Sequence, residues 1–193
     1  MVRPLGTIPR LSAEQMPREL AERLRPRVER LGYLGEFFRC AAHQPRALLS
    51  FMALTDDLKE ALPDRVTEVV ALTVAAALDN AYERVQHERL CLELGFGEAW
   101  VREVLAGARA GEAADAAAGG QRSAPEQLVQ RLTRALLERQ GHGVARELDA
   151  VVAVLGPAAA VAVLMLVGRY VTHALMVNAL ALAPPVPSPL EPR

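Results

Sequence analysis

The sequence predicts an all-α protein with one main domain. Apolar residues recur at helical spacing along most of the chain, as at Leu20, Leu24, Val28 and Leu31. No segment alternates apolar and polar residues, and no Asn-Gly or Asp-Gly pair joins two β-rich runs. Apolar residues make up 51% of the chain but aromatic residues only 4%. The core must therefore be built from Ala, Val and Leu, which suit closely packed helices.

Proline and glycine divide the first third of the chain into an arm and three helices. Three such residues within residues 1–10 predict an extended arm. Ser12 is a helix start, because a serine side chain can accept a hydrogen bond from a backbone N–H of the first turn. The expected helices run from Ser12 to Leu31, through Phe37, Phe38 and Ala41, and from Arg46 to Leu62, where Pro63 ends the third.

The stretch from Arg65 to Cys91 is the centre of the predicted fold. Val66 to Leu78 is almost wholly apolar, so we expect a buried helix there. Asp79-Asn80 interrupts it, because their side chains bond nearby backbone N–H groups and favour helix caps. A second helix would begin there, with Glu83, His87 and Cys91 along one face at a spacing of four residues.

The last half of the chain predicts four helices, a loop and a tail. Residues 107–121 are rich in Ala and Gly, and low complexity of this kind indicates a mobile loop. The expected helices are Glu98 to Ala106, Ala124 to Gln140 with Ser123 as its cap, Val144 to Leu155, and Pro157 to Leu182. We therefore expect one helical domain over residues 11–183, followed by a proline-rich tail over residues 184–193.

One segment has the length of a membrane helix. Ala150 to Gly168 contains nineteen residues without a charge. Gly156-Pro157 interrupts it, Arg169 follows at once, and no aromatic belt flanks it. We therefore expect a fully buried helix at a subunit contact rather than a membrane span.

The composition excludes some classes of binding partner and predicts a cellular compartment. The net charge of −1 gives no field that would collect nucleic acid or an anionic membrane. No apolar signal segment occurs near the start, so a cytoplasmic location with Cys40 and Cys91 reduced and buried is expected. Four histidines lie singly, without a metal-ligand motif, so no metal or other cofactor is predicted.

The spacing of the polar residues in the central stretch resembles a known family. Glu68, Asn80, Glu83 and His87 have the spacing of the Glu…Cys-x-x-Cys…His signature of the alkylhydroperoxidase D-like and carboxymuconolactone decarboxylase superfamily. Asn80 and Glu83 stand where the two cysteines would be. Tyr82 to His87 resembles the cysteine-free branch, which often carries Tyr-Glu-Trp-x-x-His, with Arg84 in place of the Trp. The resemblance implies a helical bundle that assembles as a dimer, trimer or hexamer.

The resemblance implies a proton relay through Glu68, but other roles stay open. On one continuous helix Glu68 would lie roughly 22 Å from Glu83, so the two meet only if the chain reverses near residue 80 or a neighbour supplies one of them. Glu68 is also a favourable acid in the first turn of a helix. Asn80 and Glu83 also form the pattern of a capping box.

The functional hypothesis is acid–base chemistry on a small carboxylate without a cofactor. A carboxylate and an imidazole in an apolar site can have pKa values near neutrality, which suits decarboxylation or lactone and proton-transfer chemistry. A dithiol peroxidase is disfavoured because the cysteine pair is absent. The predicted catalytic residues are His87, Glu83 and Glu68, and the predicted substrate-binding residues are Tyr82, Asn80, Tyr170 and Arg84, with Arg169 and His173 as further candidates.

Other functions remain open at this point. A non-catalytic helical oligomer would use its apolar helices for assembly, or bind a small apolar ligand or a partner. An alkylhydroperoxidase-like antioxidant role follows from the resemblance alone. A metal protein is a third reading, in which His87, Glu83 and either His43 or His173 would converge.

Overall fold

The computed structural model describes residues 8–109 and 120–191. The regular structure of these residues consists of one short 3₁₀ turn, Ala13–Gln15, and eight α-helices, which confirms the all-α prediction. The helices are α1 (Arg18–Leu31), α2 (Glu36–Ala41), α3 (Pro45–Glu60), α4 (Asp64–Ala77), α5 (Ala81–Glu93), α6 (Glu98–Arg109), α7 (Ala124–Glu138) and α8 (Ala145–Ala179).

Helix α4 is the centre of the molecule, as its apolar sequence predicts. Every residue from Val66 to Ala75 is buried. The helix packs against α5, α6, α7 and α8, and Val69, Val70 and Ala71 are completely inaccessible to solvent. A polar side chain in this buried helix needs a partner inside the protein. The partner of each one that occurs, such as Glu68, therefore shows which groups come together around α4.

The chain reverses direction between α4 and α5. Asp79 adopts a positive φ of 49°, a conformation that Asp tolerates better than most residues. The Asn80 side chain then caps α5 by accepting a hydrogen bond from the Glu83 N–H at 3.1 Å. Asn178 of α8 donates to the Leu78 carbonyl at 2.8 Å. These contacts fix the turn, and α5 returns alongside α4.

The first predicted helix begins later than expected. Ser12 starts only the 3₁₀ turn, and α1 begins at Arg18. Pro17 explains the break, because a proline pushes the residue before it out of the helical region, and Met16 is extended with ψ of 152°. Helices α1, α2 and α3 enclose a second apolar cluster that includes Leu20 and Phe37.

Helix α8 is divided at Gly156, whose φ of 82° and ψ of 165° are non-helical, as Gly156-Pro157 predicts. Within the single chain the segment is buried on one side only, so the predicted burial on all sides requires a subunit contact. One stripe at spacings of three and four residues faces outward in the single chain. Its members are Val154, Ala158, Val161, Met165, Gly168, Thr172 and Leu175.

By length and composition α8 is the one helix among the described residues that meets the criterion for a membrane span, a criterion that core helices also meet. It packs against α3, α4 and α7.

The tail is non-helical from residue 183 to 191, as its prolines predict. It lies against the body of the protein, since Ser188 is buried and the Leu190 carbonyl accepts a hydrogen bond from Arg102 at 2.9 Å. Residues 110–119 of the predicted mobile loop and residues 1–7 of the predicted arm lie outside the described residues.

Candidate active site

Glu68 and His87 meet across the α4–α5 contact. Glu68 lies one turn into α4 and His87 lies in the second turn of α5, and the Glu68 Oε2 to His87 Nδ1 distance is 2.5 Å. The reversal at Asp79 and Asn80 is thus the alternative, of those left open by the sequence, that joins Glu68 to the residues of α5. Lys59 of α3 lies 3.6 Å from Glu68 Oε1.

The second carboxylate at His87 is that of Glu83. His87 Nε2 lies 3.5 Å from Glu83 Oε2, one helical turn earlier on α5. Burial alone would lower the pKa of His87, but the charge and hydrogen bond of Glu68, together with Glu83, raise it to about 9. The imidazole is therefore a cation at neutral pH, and both ring nitrogens carry protons directed at carboxylates.

The same charges keep both glutamates ionised. Burial opposes ionisation of Glu68, but the charge and hydrogen bond of His87, with Lys59, outweigh it and hold the pKa of Glu68 below its ordinary value. Burial also opposes ionisation of Glu83, but the charge that His173 carries when protonated, the hydrogen bond and charge of His87, and the charge of Arg169 hold the pKa of Glu83 well below its ordinary value. The site thus holds an imidazolium between two carboxylates.

Two side chains of α8 complete the surroundings of Glu83. His173 Nδ1 lies 3.4 Å from Glu83 Oε2, and Arg169 Nη1 lies 3.5 Å from the same oxygen. Neither nitrogen makes a hydrogen bond in the structure. Burial, reinforced by Arg169 and His87, lowers the pKa of His173 to about 4, so His173 is neutral at pH 7. Arg169 supplies the positive charge on this side of Glu83.

The capping pattern of Asn80 and Glu83 is only half formed. Asn80 accepts from the Glu83 N–H, but the Glu83 side chain turns to the histidines and Arg169 instead of the cap backbone. The capping role therefore belongs to Asn80. The Glu83 carboxylate is left available to the site.

A cavity of about 130 Å³ opens beside Glu83 and His87. Of the predicted site residues, Glu83, His87, Tyr82 and Tyr170 line it, and Glu68 lies behind His87. The Tyr170 ring meets the His87 ring edge-on at 5.3 Å between centroids. The complete lining is Arg27, Arg30, Leu31, Tyr33, Gly35, Phe38, Thr55, Asp56, Lys59, Tyr82, Glu83, Gln86, His87, Arg89, Leu90, Glu93, Arg169, Tyr170 and His173.

Two predicted substrate-binding residues lie elsewhere. Asn80 is buried as the cap of α5 and does not line the cavity. Arg84 points away from it and pairs with Glu88 at 2.6 Å and with Glu191 of the tail at 3.7 Å. Since α5 has 3.6 residues per turn, Arg84 and Glu83 face different sides of the helix.

Cys91 lies next to the relay and donates a hydrogen bond to Glu68. Its Sγ is 3.7 Å from Glu68 Oε2, and burial with the adjacent Glu68 charge raises the pKa of the thiol. Cys40 lies in the other apolar cluster. His173 and Glu83 converge with His87, whereas His43 Nε2 contacts the Pro9 carbonyl. Within residues 8–109 and 120–191, no group of three His, Cys, Asp or Glu side chains has the geometry to hold a metal ion.

Most residues of the cavity were not predicted from the sequence, and three polar ones are examples. Arg27 comes from α1, Lys59 from α3 and Gln86 from α5. The position of Gln86, one residue before His87, is a signal that the sequence contains. Arg27 has no such signal, because it is one of five arginines between residues 18 and 30. Helical spacing alone does not distinguish it from its solvent-exposed neighbours.

Comparison with known proteins relates both the sequence and the fold to one superfamily. Residues 45–122, which include Glu68, Glu83 and His87, match the model of the carboxymuconolactone decarboxylase family. The structure is similar to the crystal structure of an alkylhydroperoxidase AhpD core, an uncharacterized peroxidase-related protein from Ralstonia eutropha JMP134. The TM-score is 0.76 over 95% of this chain and 94% of that chain, and the sequence identity of 14% supports likeness of fold alone. No curated protein matches the sequence.

Proposed function

We propose that this chain, which belongs to the carboxymuconolactone decarboxylase and alkylhydroperoxidase D-like superfamily, is an enzyme that transfers a proton on a small carboxylate without a cofactor. The observation that carries the proposal is the row Glu68–His87–Glu83, which ends at a cavity. Decarboxylation and lactone isomerisation are the two reaction types that such a proton transfer serves.

In this proposal Glu83 is the group that meets the substrate. It is ionised and lines the cavity, whereas both nitrogens of His87 face carboxylates. Glu83 therefore accepts a proton from the carbon beside a carbonyl group, and His87, held by Glu68, stabilises its charge and passes protons. In a decarboxylation, the carbon–carbon bond breaks, carbon dioxide leaves, and the electrons of the bond form an enolate. A proton from His87, passed through Glu83, completes the product, and a proton from solvent then restores the imidazolium.

Tyr82 and Arg169 would stabilise the enolate. The Tyr82 hydroxyl lies beside the backbone N–H of Phe37, and burial above all raises the pKa of Tyr82, so its proton is retained and available for donation. Arg169 Nη1 is without a hydrogen-bond partner at the cavity. Both residues are donors next to Glu83, at the place where negative charge would develop.

The lining of the cavity favours an enzyme over a binding protein for an apolar ligand. Charged side chains are frequent in the lining, with arginine and lysine side chains from four helices and three carboxylates. An apolar ligand would leave these groups without solvent and without partners, which is costly. Dithiol peroxidase chemistry is not proposed, because Cys40 and Cys91 are the only cysteines and are not adjacent.

Self-association through α8 is part of the proposal. The exposed stripe from Val154 to Leu175 follows the spacing of a coiled-coil seam, and Val161 and Leu175 are 54% and 59% exposed. A row of exposed apolar residues of this kind is typical of an interface. A second copy with the same stripe would cover it.

The experiment that tests the proposal is solvent-deuterium exchange, followed by NMR, on a panel of keto acids and lactones. Exchange at the carbon beside the carbonyl group reports proton transfer even when no product accumulates. We expect exchange with at least one compound, and a loss of about 100-fold or more in Glu83→Gln and His87→Gln. Glu98→Gln, an exposed residue on α6, is the matched control.

Two results would count against the proposal. Absence of exchange across the panel would favour the non-catalytic oligomer. Exchange that survives in Glu83→Gln would show that another group is the base.

A further inference from the structure

Arg27 is a cationic side chain of the cavity that forms no ion pair within the described residues. It is partly buried on α1, and its guanidinium lies 4.7 Å above the Phe38 ring. The carboxylate on α3 that faces it, Asp56, is already paired with Arg23. Among the described residues Arg27 forms no ion pair. Its charge at the cavity is thus balanced only without direct contact, by Asp56 and Glu83.

Arg169 lines the same cavity from α8, and several contacts hold its side chain in place. Its Nε donates to the Thr55 hydroxyl at 2.9 Å. Its guanidinium lies 4.3 Å from the centroid of the Tyr170 ring and 4.9 Å from that of the Phe51 ring. Its Nη1 is buried without a hydrogen-bond partner. The planar guanidinium group is therefore fixed in place, and its Nη1 still has no hydrogen-bond partner.

The two guanidinium groups repel each other across the cavity. Burial and the charge of Arg169 lower the pKa of Arg27. Five arginine and lysine side chains but three carboxylates line the cavity, counting Arg27, Arg30, Lys59, Arg89 and Arg169 against Asp56, Glu83 and Glu93. Gln86 Nε2 is a further buried donor without a partner. An anion between the two arginines would relieve the repulsion and satisfy the donors.

We propose that Arg27 and Arg169 form a subsite for a carboxylate of the substrate, which places the neighbouring carbon against Glu83. A planar carboxylate accepts two parallel hydrogen bonds from a guanidinium group, and two guanidinium groups line this cavity. Arg27 and Arg169 both lie outside the matched residues 45–122, so the subsite is supplied by parts of the chain that the family model does not cover. The assignment of the carboxylate to a substrate rests on the proposed function.

The subsite limits the reaction of the carboxylate that it binds. Two positive charges stabilise a carboxylate, whereas decarboxylation converts it into neutral carbon dioxide. The bound carboxylate is therefore retained, and the reacting centre is a second group on the same molecule. The substrate class is a small acid with one anchoring carboxylate and, one or two carbons away, either a lactone carbonyl or a second carboxylate.

The test is calorimetric titration of the full chain with succinate, its neutral diamide and inorganic phosphate. Succinate is expected to bind, and the diamide is expected to bind at least tenfold more weakly. Arg27→Met and Arg169→Met should each weaken succinate binding about tenfold or more, with Arg27→Lys intermediate because it keeps the charge without the fork. Arg25→Met is the matched control, since Arg25 lies on α1, is exposed and does not line the cavity.

Several outcomes would overturn the inference. Equal binding of succinate and its diamide, or unchanged succinate binding in both Arg27 variants, would exclude a carboxylate subsite. Phosphate binding as tight as that of succinate would identify a general anion site. If Arg27→Met does not fold, Arg27→Lys still decides between the outcomes.

The carboxylate subsite and the proposed enzymatic activity can be rejected independently of each other. Arg27-dependent succinate binding without deuterium exchange on any compound would retain the subsite and reject the enzyme. Exchange that is unaffected by Arg27→Lys and Arg27→Met would retain the enzyme and reject the subsite.

Discussion

Glu68 Oε2 lies 2.5 Å from His87 Nδ1, although nineteen residues separate the two along the chain. The contact joins the central helix to the helix that returns alongside it. Because Glu83 faces the other ring nitrogen at 3.5 Å, His87 lies between two carboxylates in a buried site. This arrangement stabilises the protonated imidazole, and its consequences can be measured without knowledge of the substrate.

The stability of the protein should depend on pH through His87. Its pKa is raised from 6.5 to about 9 in the folded state, so its contribution is fully present below pH 6.5 and is lost as the pH rises through 9. The loss should be roughly 3 kcal/mol. Urea unfolding at a series of pH values between 6 and 10 measures it, and NMR of the imidazole measures the pKa directly.

Glu68→Gln is the control for this prediction. It removes the nearer carboxylate, so the pKa of His87 should fall and the decrease in unfolding free energy should move to lower pH. A wild-type His87 that titrates near 6.5 would contradict the ion pair.

The relay could be predicted from the sequence because it depends on local spacing. Glu83 and His87 share a helix face, and Asp79-Asn80 marks the reversal that brings Glu68 to them. Arg27 could not be predicted, since its place depends on how α1 packs across the site. For α8 the sequence predicted a subunit contact but not the face that would form it, because apolar composition does not distinguish a core face from an interface face.

Gly35→Ala should destabilise the protein by steric overlap with Tyr82. The φ of Gly35 is −57°, which alanine adopts freely, but an added Cβ would lie 2.8 Å from the Tyr82 hydroxyl oxygen. The buried ring must shift, at about 1–3 kcal/mol. In a Tyr82→Phe background the overlap disappears, so the same substitution should cost much less. Equal costs in the two backgrounds, measured by urea unfolding, would show that the hydroxyl is not the obstacle.

A charge in the exposed stripe of α8 should prevent self-association. Met165 lies in the middle of the stripe and is 48% exposed, so Met165→Glu would place like charges face to face between two copies. Sedimentation velocity at micromolar concentration should show an oligomer for the wild type and a monomer for the variant. Ala99→Glu, at an exposed position on α6, is the control and should leave the oligomer intact. A monomeric wild-type protein would remove the proposed interface.

Ser188→Ala should destabilise the protein through Glu88, a residue with no accessible surface. The Ser188 hydroxyl donates to Glu88 Oε2 at 2.5 Å, and Arg84 binds the other oxygen at 2.6 Å. Without the hydroxyl, one oxygen of a buried charge has no donor, which costs about 1–3 kcal/mol. Ser50→Ala, on the exposed face of α3, should change the unfolding free energy by less than about 0.5 kcal/mol. If the two alanine variants unfold alike, the tail does not support the helix that carries His87.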